Sequence, residues 1–526
     1  MYWKRFSFIR AMESNIDKLI NGFNEKAVKC FSRGNYVDAI KYFNEVLKID
    51  ASNFSALNNL GQTYRANGKI KLAENCFMKA IAVKPSFPEP HMNLGLIYSS
   101  LGKYEKAISY YLRALKAKEA YPQAYYNLAI GYAALGKTDN AISSYSKAIM
   151  LKPNYLEALN NLGVLYIELG KFDEAFKALT KAEEICPDSY QVLNSLGTLL
   201  KTIGKFEEAL EVFHRAIKID PKKSEARWNL GLIELLLGKY KSGWKGYLFR
   251  HSIDRSTLNF PEKQFTNNIA GQNIKIYGEQ GIGDEIFFMR FLPELVSRGT
   301  VFTYRGDERI SGMVQRTVTG FQKDSNIQGD CLEFSIADLP FLLGCNEPVK
   351  PVLIDPLPQK VEKMREFLGS LGPPPYIGFT HRAGLVELGY LYKEVELDQL
   401  LKVLIELPGT LICMQRGLEN EERQVIENGC CGREIFFQDT DMDMEDSLAM
   451  MCVLDDYIAV SNTNLHLRAS VNKEARVLVA NPPDYRWGTE DKSPWFPSFS
   501  LYRQEFDMTW ESGIKKLVKD LSNVYR

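Results

Sequence analysis

Seven glycines spaced 34 residues apart organise the first half of this chain: Gly34, Gly68, Gly102, Gly136, Gly170, Gly204 and Gly238. Five positions after each comes a second small residue: Ala39, Ala73, Ala107, Ala141, Ala175, Ala209 and Gly243. Seven positions before each lies a third: Ala27, Gly61, Gly95, Ala129, Gly163, Gly197 and Gly231. Leucine precedes this third residue in six copies, from Leu60 to Leu230, and Lys26 stands there in the first. Small residues at fixed sites let two helices approach, and the leucines fill the contact. The repeating glycine suits a turn that needs a positive φ. Pro85, Pro153, Pro187 and Pro221 stop the second helix, since proline lacks the donor a helix interior uses. A period of 34 with this content predicts stacked helix–turn–helix units with a superhelical binding face.

These residues resemble the tetratricopeptide repeat family over roughly residues 15–251, after an N-terminal stub at 1–14. The last copy ends in Trp244–Tyr247. That predicts docking onto the C-terminal half of the chain rather than a solvated cap. Asn59, Asn93, Asn127, Asn161 and Asn229 share one repeat position, with Ser195 in their place once. An amide stripe offers donors and acceptors to an extended peptide. It is similar to the asparagine ladder of O-GlcNAc transferases, so it is the expected acceptor groove. Helix-to-helix hydrogen bonds within the stack are the alternative, and the sequence leaves both open.

With 65 basic and 65 acidic residues the chain carries no formal net charge, which argues against broad nucleic-acid binding. Its nine cysteines include no CxxC pair, so neither a zinc site nor a disulfide framework is expected, and a reducing cytoplasm is the natural setting. No apolar stretch reaches the roughly 18–20 residues of a membrane span. Arg10 breaks the first apolar stretch too early for a signal peptide, and Met12 offers an alternative start.

After a linker at 252–271 the helical period gives way to short apolar runs alternating with helical patterns, which reads as α/β. Two blocks are expected, 272–371 and 372–526, divided near Gly372-Pro-Pro-Pro375. Strands are predicted at 273–277, 300–304, 332–338, 376–380, 410–414, 457–460 and 476–479. Two consecutive blocks suggest a pair of Rossmann-like domains facing a cleft, with ligands at the carboxyl ends of the strands.

Three motifs fall at those ends. The first is Tyr277-Gly-Glu-Gln-Gly-Ile-Gly-Asp-Glu-Ile-Phe-Phe-Met-Arg-Phe-Leu-Pro293. Gly281 and Gly283 let backbone N–H groups approach an anion at a helix start. Asp284 reads either as a helix N-cap or as a functional carboxylate. The second is Thr380-His-Arg-Ala-Gly384 with Lys393 nearby, a diphosphate clamp or surface charge at a loop. The third is Val460-Ser-Asn-Thr-Asn-Leu-His-Leu467. Together they resemble glycosyltransferase family nine, the heptosyltransferases, which implies a GT-B-like arrangement of two Rossmann-like domains and a nucleotide-sugar donor. The resemblance implies that Asp284 is the general base. It also implies that His466 contacts the nucleotide diphosphate; with it, Gly281, Gly283, Arg382, Lys393 and Asn462 at the strand ends are expected to bind the donor, Arg382, Lys393 and His466 stabilising the departing diphosphate. No metal or other cofactor is implied. Ser461 stands where the family has aspartate, and Thr380-His381 where it commonly has a tryptophan-containing turn. The aromatic segment Tyr485–Tyr502 either packs a long loop or stacks a base. The acidic run Asp439–Asp446 lacks the glycine and the final glutamate of a calcium loop, so it is expected to cap the helix after it.

The expected activity is therefore transfer of a sugar to a protein or peptide held by the repeats. The rival expectation is a repeat scaffold carrying an inactive transferase fold.

Overall fold

The computed structural model describes residues 2–250, 269, 271–279, 281–318, 331–383, 394–429, 434–438 and 442–525, with side chains from residue 15 onward. The chain divides into two compact units, residues 1–187 and 188–526.

The first unit is helical throughout. Its pairs are α1 (Tyr2–Ser32) with α2 (Tyr36–Ile49), α3 (Phe54–Ala66) with α4 (Ile70–Val83), and α5 (Pro88–Ser100) with α6 (Tyr104–Ala117). Then come α7 (Pro122–Ala134) with α8 (Thr138–Leu151), and α9 (Leu156–Glu168) with α10 (Phe172–Ile185). The expected stub at 1–14 is part of α1, whose helix begins at Tyr2. The repeating glycine forms the turn inside each pair. Gly102 has φ +69°, and Lys103 N–H reaches back to the Tyr98 carbonyl at 2.9 Å, closing α5. The small residue of the first helix is needed for close approach. A methyl placed on Gly61 would lie 2.6 Å from the Phe77 ring. Ala73, Ala107 and Ala141 are fully buried on the other side of the same contacts. The period is thus a packing rule.

The second unit opens with two more pairs, α11 (Tyr190–Thr202) with α12 (Phe206–Ile219) and α13 (Glu225–Leu236) with α14 (Tyr240–Tyr247). The repeat period predicts a boundary after residue 251, yet these four helices pack with the α/β part. Trp244 is 1% exposed and meets Trp495 edge-on at 5.8 Å and Tyr485 at 5.6 Å. Buried Arg250 pairs with Glu279 and, at 2.8 Å, with Asp338. Asn481 donates to the Thr202 carbonyl at 3.2 Å. The expected docking role of the last copy is met, and the aromatic segment packs rather than lying open: Tyr485, Trp487, Trp495 and Phe496 are all buried.

The α/β part runs β1 (Asn273–Tyr277), α15 (Ile282–Phe288), α16 (Leu292–Ser297), β2 (Val301–Arg305), α17 (Glu308–Thr317), β3 (Leu332–Ser335), α18 (Leu339–Leu342) and α19 (Pro358–Leu371). It continues with β4 (Tyr376–Thr380), α20 (Leu397–Leu404), β5 (Thr410–Cys413), α21 (Asn420–Gly429), β6 (Ile435–Phe437), α22 (Met444–Val453) and β7 (Asp456–Val460). Last come α23 (Thr463–Ser470), β8 (Arg476–Val479), β9 (Ser500–Arg503) and α24 (Glu511–Val524). The described strands form two parallel sheets, one of three strands in the order β2-β1-β3 and one of six in the order β6-β5-β4-β7-β8-β9. In the larger sheet the direction of winding reverses between β4 and β7, a topological switch point where open α/β sheets bind ligands. β7 is buried at all five positions, as expected of a central parallel strand covered on both faces.

Helix α19, assigned by sequence to the first block, packs against α22 of the second, with Lys360 pairing with Asp443 at 2.9 Å and Asp446 at 3.0 Å. Asp443 is the N-cap of α22 in a capping box with Asp446, so the described part of the acidic run caps a helix as expected. Among the described residues no helix is long and apolar enough to cross a membrane.

Candidate functional site

The carboxyl ends of β4, β5 and β7 and the start of α15 surround one cleft of about 400 Å³, all within the second unit. From the smaller sheet come Gly281, Gly283 and Asp284; from the larger, Thr380, Arg382, Arg416, Asn462 and His466; Arg486 lies beyond β8. The geometry thus collects six of the seven site residues expected in this half of the sequence. The seventh, Lys393, lies outside the described residues.

Gly281 is the N-cap of α15, with extended backbone, and Asp284 is the third residue of the helix. The N-cap reading of Asp284 is therefore corrected: its N–H donates to the Gly281 carbonyl at 2.9 Å, and its carboxylate receives the Arg486 guanidinium. A methyl on Gly283 would lie 3.2 Å from both the His466 ring and the Thr463 hydroxyl, so this glycine lets α15 and α23 meet closely. His466 is 4% exposed, its ring edge-on to Phe287 at 5.9 Å and tilted against Phe496 at 5.5 Å.

Asn462 caps α23, accepting from the Leu465 N–H at 3.2 Å while its amide donates to the Tyr457 hydroxyl at 3.2 Å. That hydroxyl, fully buried, also meets Thr380 at 2.7 Å and Asn464 at 3.3 Å. Asn462 thus shapes the floor of the cleft as well as lining it.

The charges at the site are paired more fully than the sequence suggests. Arg382 donates to Glu422 through Nε at 2.5 Å and Nη2 at 2.8 Å, and to the Gly417 carbonyl at 2.8 Å. Burial raises the Glu422 pKa, but the bonds from Arg382, Glu419 N–H and His381 outweigh it and leave that pKa at about 2. Burial lowers the His381 pKa, and its Nε2 lies 3.0 Å from the Glu422 carboxylate. Arg382 is therefore held as an ion pair with Glu422. Arg486 is 6% exposed. Burial opposes its charge, but the carboxylates of Asp484 and Asp284 outweigh this and hold its pKa well above the ordinary value. Arg416 differs. It is exposed in the cleft, donates to the Ser447 hydroxyl at 2.6 Å, and among the described residues forms no ion pair.

Sequence reasoning misses Arg416, Arg486 and Glu422. Arg416 comes just after β5, so the strand-end rule could have found it. Arg486 stands in a segment whose aromatics dominate its pattern. Glu422 lies on α21, a helix that the sequence pattern does not reveal.

The asparagine register also changes meaning. Asn93 is buried and donates to Asn58 at 3.0 Å; Asn58 in turn donates to Asn59 at 3.3 Å. Asn161 donates to the Tyr126 hydroxyl at 3.2 Å and Asn127 to the Gln123 carbonyl at 2.7 Å. Asn229 accepts from Lys201 at 2.7 Å. Each of the five amides has a partner within its own unit. Asn93, Asn161 and Asn229 bond to a neighbouring helix, as the helix-bonding alternative expects, whereas the bonds of Asn59 and Asn127 stay within their own helices.

Family models described as tetratricopeptide repeat match residues 88–121 and 154–222, and models described as TPR repeat match 29–68, 61–102 and 131–170. Protein FlbA of Caulobacter vibrioides is 24% identical over 310 residues, 53% of this chain and 52% of its own length. The chain thus spans about half the length of that curated relative. Among solved structures, MamA is 31% identical over 30% of this chain and 93% of its own, with a TM-score of 0.29. YrrB, described as a TPR protein with an unusual peptide-binding site, is 21% identical over 35% of this chain and 95% of its own, with a TM-score of 0.31. The N-terminal region is a run of tetratricopeptide repeats, a kind that suggests protein–protein interaction, and an α/β region with two parallel sheets comes after it.

Proposed function

We propose that this protein is a glycosyltransferase-like enzyme with a GT-B-like pair of Rossmann-like domains. Its repeats hold a protein or peptide acceptor, and the cleft at the strand ends binds a nucleotide sugar. The observation that carries the reading is the convergence of Gly281, Gly283 and Asp284 from one sheet with Thr380, Asn462 and His466 from the other around one cleft. The strand order of the larger sheet, reversing at β4 and β7 above that cleft, supports it. Arg416 and the N–H groups opening α23 supply positive potential for the donor phosphates. Asp284 is the carboxylate assigned to take the acceptor proton, and His466 contacts the diphosphate. Because the repeat asparagines are engaged, the acceptor groove is assigned to the repeat surface as a whole and not to an amide ladder.

The test is thermal unfolding with the common nucleoside diphosphates and nucleotide sugars. A ligand that binds the folded state stabilises it by about 2.7 kcal/mol at a concentration of about 100 Kd. At least one nucleotide should raise the transition of the wild type, and His466→Ala should lose that rise. The pairing of Arg382 with Glu422 and of Asp284 with Arg486 favours a second reading, a repeat scaffold whose transferase fold is inactive. No shift with any nucleotide would select it.

A further inference from the structure

Arg486 joins the two sides of the cleft. It sits in the loop after β8, yet its guanidinium bonds to Asp284 on α15. The side chain is held by its surroundings. Its guanidinium lies 4.7 Å from the Phe287 ring centre and 5.1 Å from that of Tyr485, and Nη1 lies 3.5 Å from Asp484. Its Nε has no hydrogen-bond partner among the described residues, so the fork retains donor capacity. The two carboxylates it serves are not equivalent. Asp284 lines the cleft with a side chain 26% exposed, and Asp484 is not among the residues that line it.

The Arg486 bond engages Oδ1 of Asp284, and a carboxylate paired with a guanidinium is a weaker base toward an acceptor hydroxyl than an unpaired one. A phosphate entering the cleft meets the same guanidinium, whose planar fork binds phosphate oxygens in pairs. Both anions draw on the same buried cation, and Asp284 already holds its Nη2 donor. We infer that Arg486 is a positioning residue shared between two anions: it holds Asp284 until a diphosphate takes its place, and the exchange frees the Asp284 carboxylate. Asp284 is then the stronger base in the presence of a phosphate-bearing ligand. This rests on the reading of the cleft as a nucleotide-sugar site, and it names the ligand feature to which that site responds.

The exchange has a consequence that a purely structural ion pair lacks. Removing the charge of Asp284 should strengthen anion binding. The probe is inorganic pyrophosphate, titrated calorimetrically into the full-length wild type, Asp284→Asn, Asp484→Asn and Arg486→Lys. A hydrogen bond to a charged group contributes about 1.5–3 kcal/mol, so Asp284→Asn should bind pyrophosphate about tenfold or more tightly than wild type. Arg486→Lys, which keeps the charge but loses the fork, should bind about tenfold more weakly. Asp484→Asn should leave the affinity within about threefold. Because Asp284 is partly exposed and asparagine nearly isosteric, that variant carries the test even if Arg486→Lys fails to fold. Equal or weaker pyrophosphate binding by Asp284→Asn, with the wild type binding, overturns the sharing and leaves the cleft reading standing. Absence of pyrophosphate and nucleotide binding in both proteins overturns the cleft reading and the inference with it.

Discussion

Substituting Glu422 with glutamine tests how Arg382 is held. The carboxylate takes two bonds from Arg382, one from His381 at 3.0 Å and one from the Glu419 N–H at 2.7 Å. Glutamine presents an NH₂ to at least one of these donors, so Arg382, only 6% exposed, loses its compensating charge without gaining water. Breaking a buried pair from one side costs about 3–5 kcal/mol, and the 19% exposure of Glu422 places this case near the lower figure, about 3 kcal/mol. The pH dependence identifies the source. The Glu422 pKa in the folded protein, about 2, lies below its ordinary value of 4.5. Its stabilising contribution is therefore complete above the unfolded value and lost as pH falls from about 4.5 towards 2. Urea unfolding of wild type and Glu422→Gln at a series of pH values reads both effects. The gap between the two midpoints should be widest near neutrality and shrink through that acid window. A gap that stays constant with pH, or no gap at pH 7, would refute the claim that a charged Glu422 holds Arg382.

Trp244→Ala should destabilise the unit spanning residues 188–526 by about 3–5 kcal/mol in urea unfolding, because it empties a fully enclosed site among Phe288, Phe291, Tyr485 and Trp495; a change under about 1 kcal/mol would contradict docking through this residue. Glu285 bonds to Tyr304 and to the Asp307 N–H, and burial pushes its pKa up to about 7. Its contribution is complete below about 4.5 and lost as pH rises from there through 7, so wild type should lose stability between about pH 4.5 and pH 7 and Glu285→Gln should lose less, as thermal unfolding across that range will show.

The repeats are legible in the sequence because their signal is local and periodic. A glycine at each turn and a small residue at each helix contact are imposed by backbone geometry and close packing, and both recur whatever the surface carries. The parallel strands are legible for a related reason: β4, β5 and β7 are short apolar runs between turn residues, as strands buried on both faces must be, and β1 alternates apolar with polar residues. Elements with a mixed surface escape the pattern. Helices α17, α19 and α21 present charged faces, and β9 comes after a proline- and aromatic-rich loop, so neither period stands out. The repeat helices run to Tyr247, close to the expected end at residue 251. The sequence marks where the repeat ends, whereas packing through Trp244 and Arg250 decides which unit the last repeats join.

The site shows the same division more sharply. Strand-end position is a property of order along the chain, and it brings Gly281, Asp284, Arg382, Asn462 and His466 to one cleft from the pattern alone. Charge compensation is a property of pairs, and the deciding partners lie 40 and 202 residues away: Glu422 for Arg382, Arg486 for Asp284. An arginine at a strand end has the same sequence signature whether it faces a ligand or a glutamate. The two cases differ in chemistry, because a paired guanidinium must exchange one anion for another before it can bind, whereas an unpaired one binds at once. Arg416, exposed and without an ion pair among the described residues, is the second kind; Arg382 and Arg486 are the first. On the proposed reading, a phosphate in this cleft meets an Arg416 that is unpaired among the described residues and an Arg486 already bonded to Asp284.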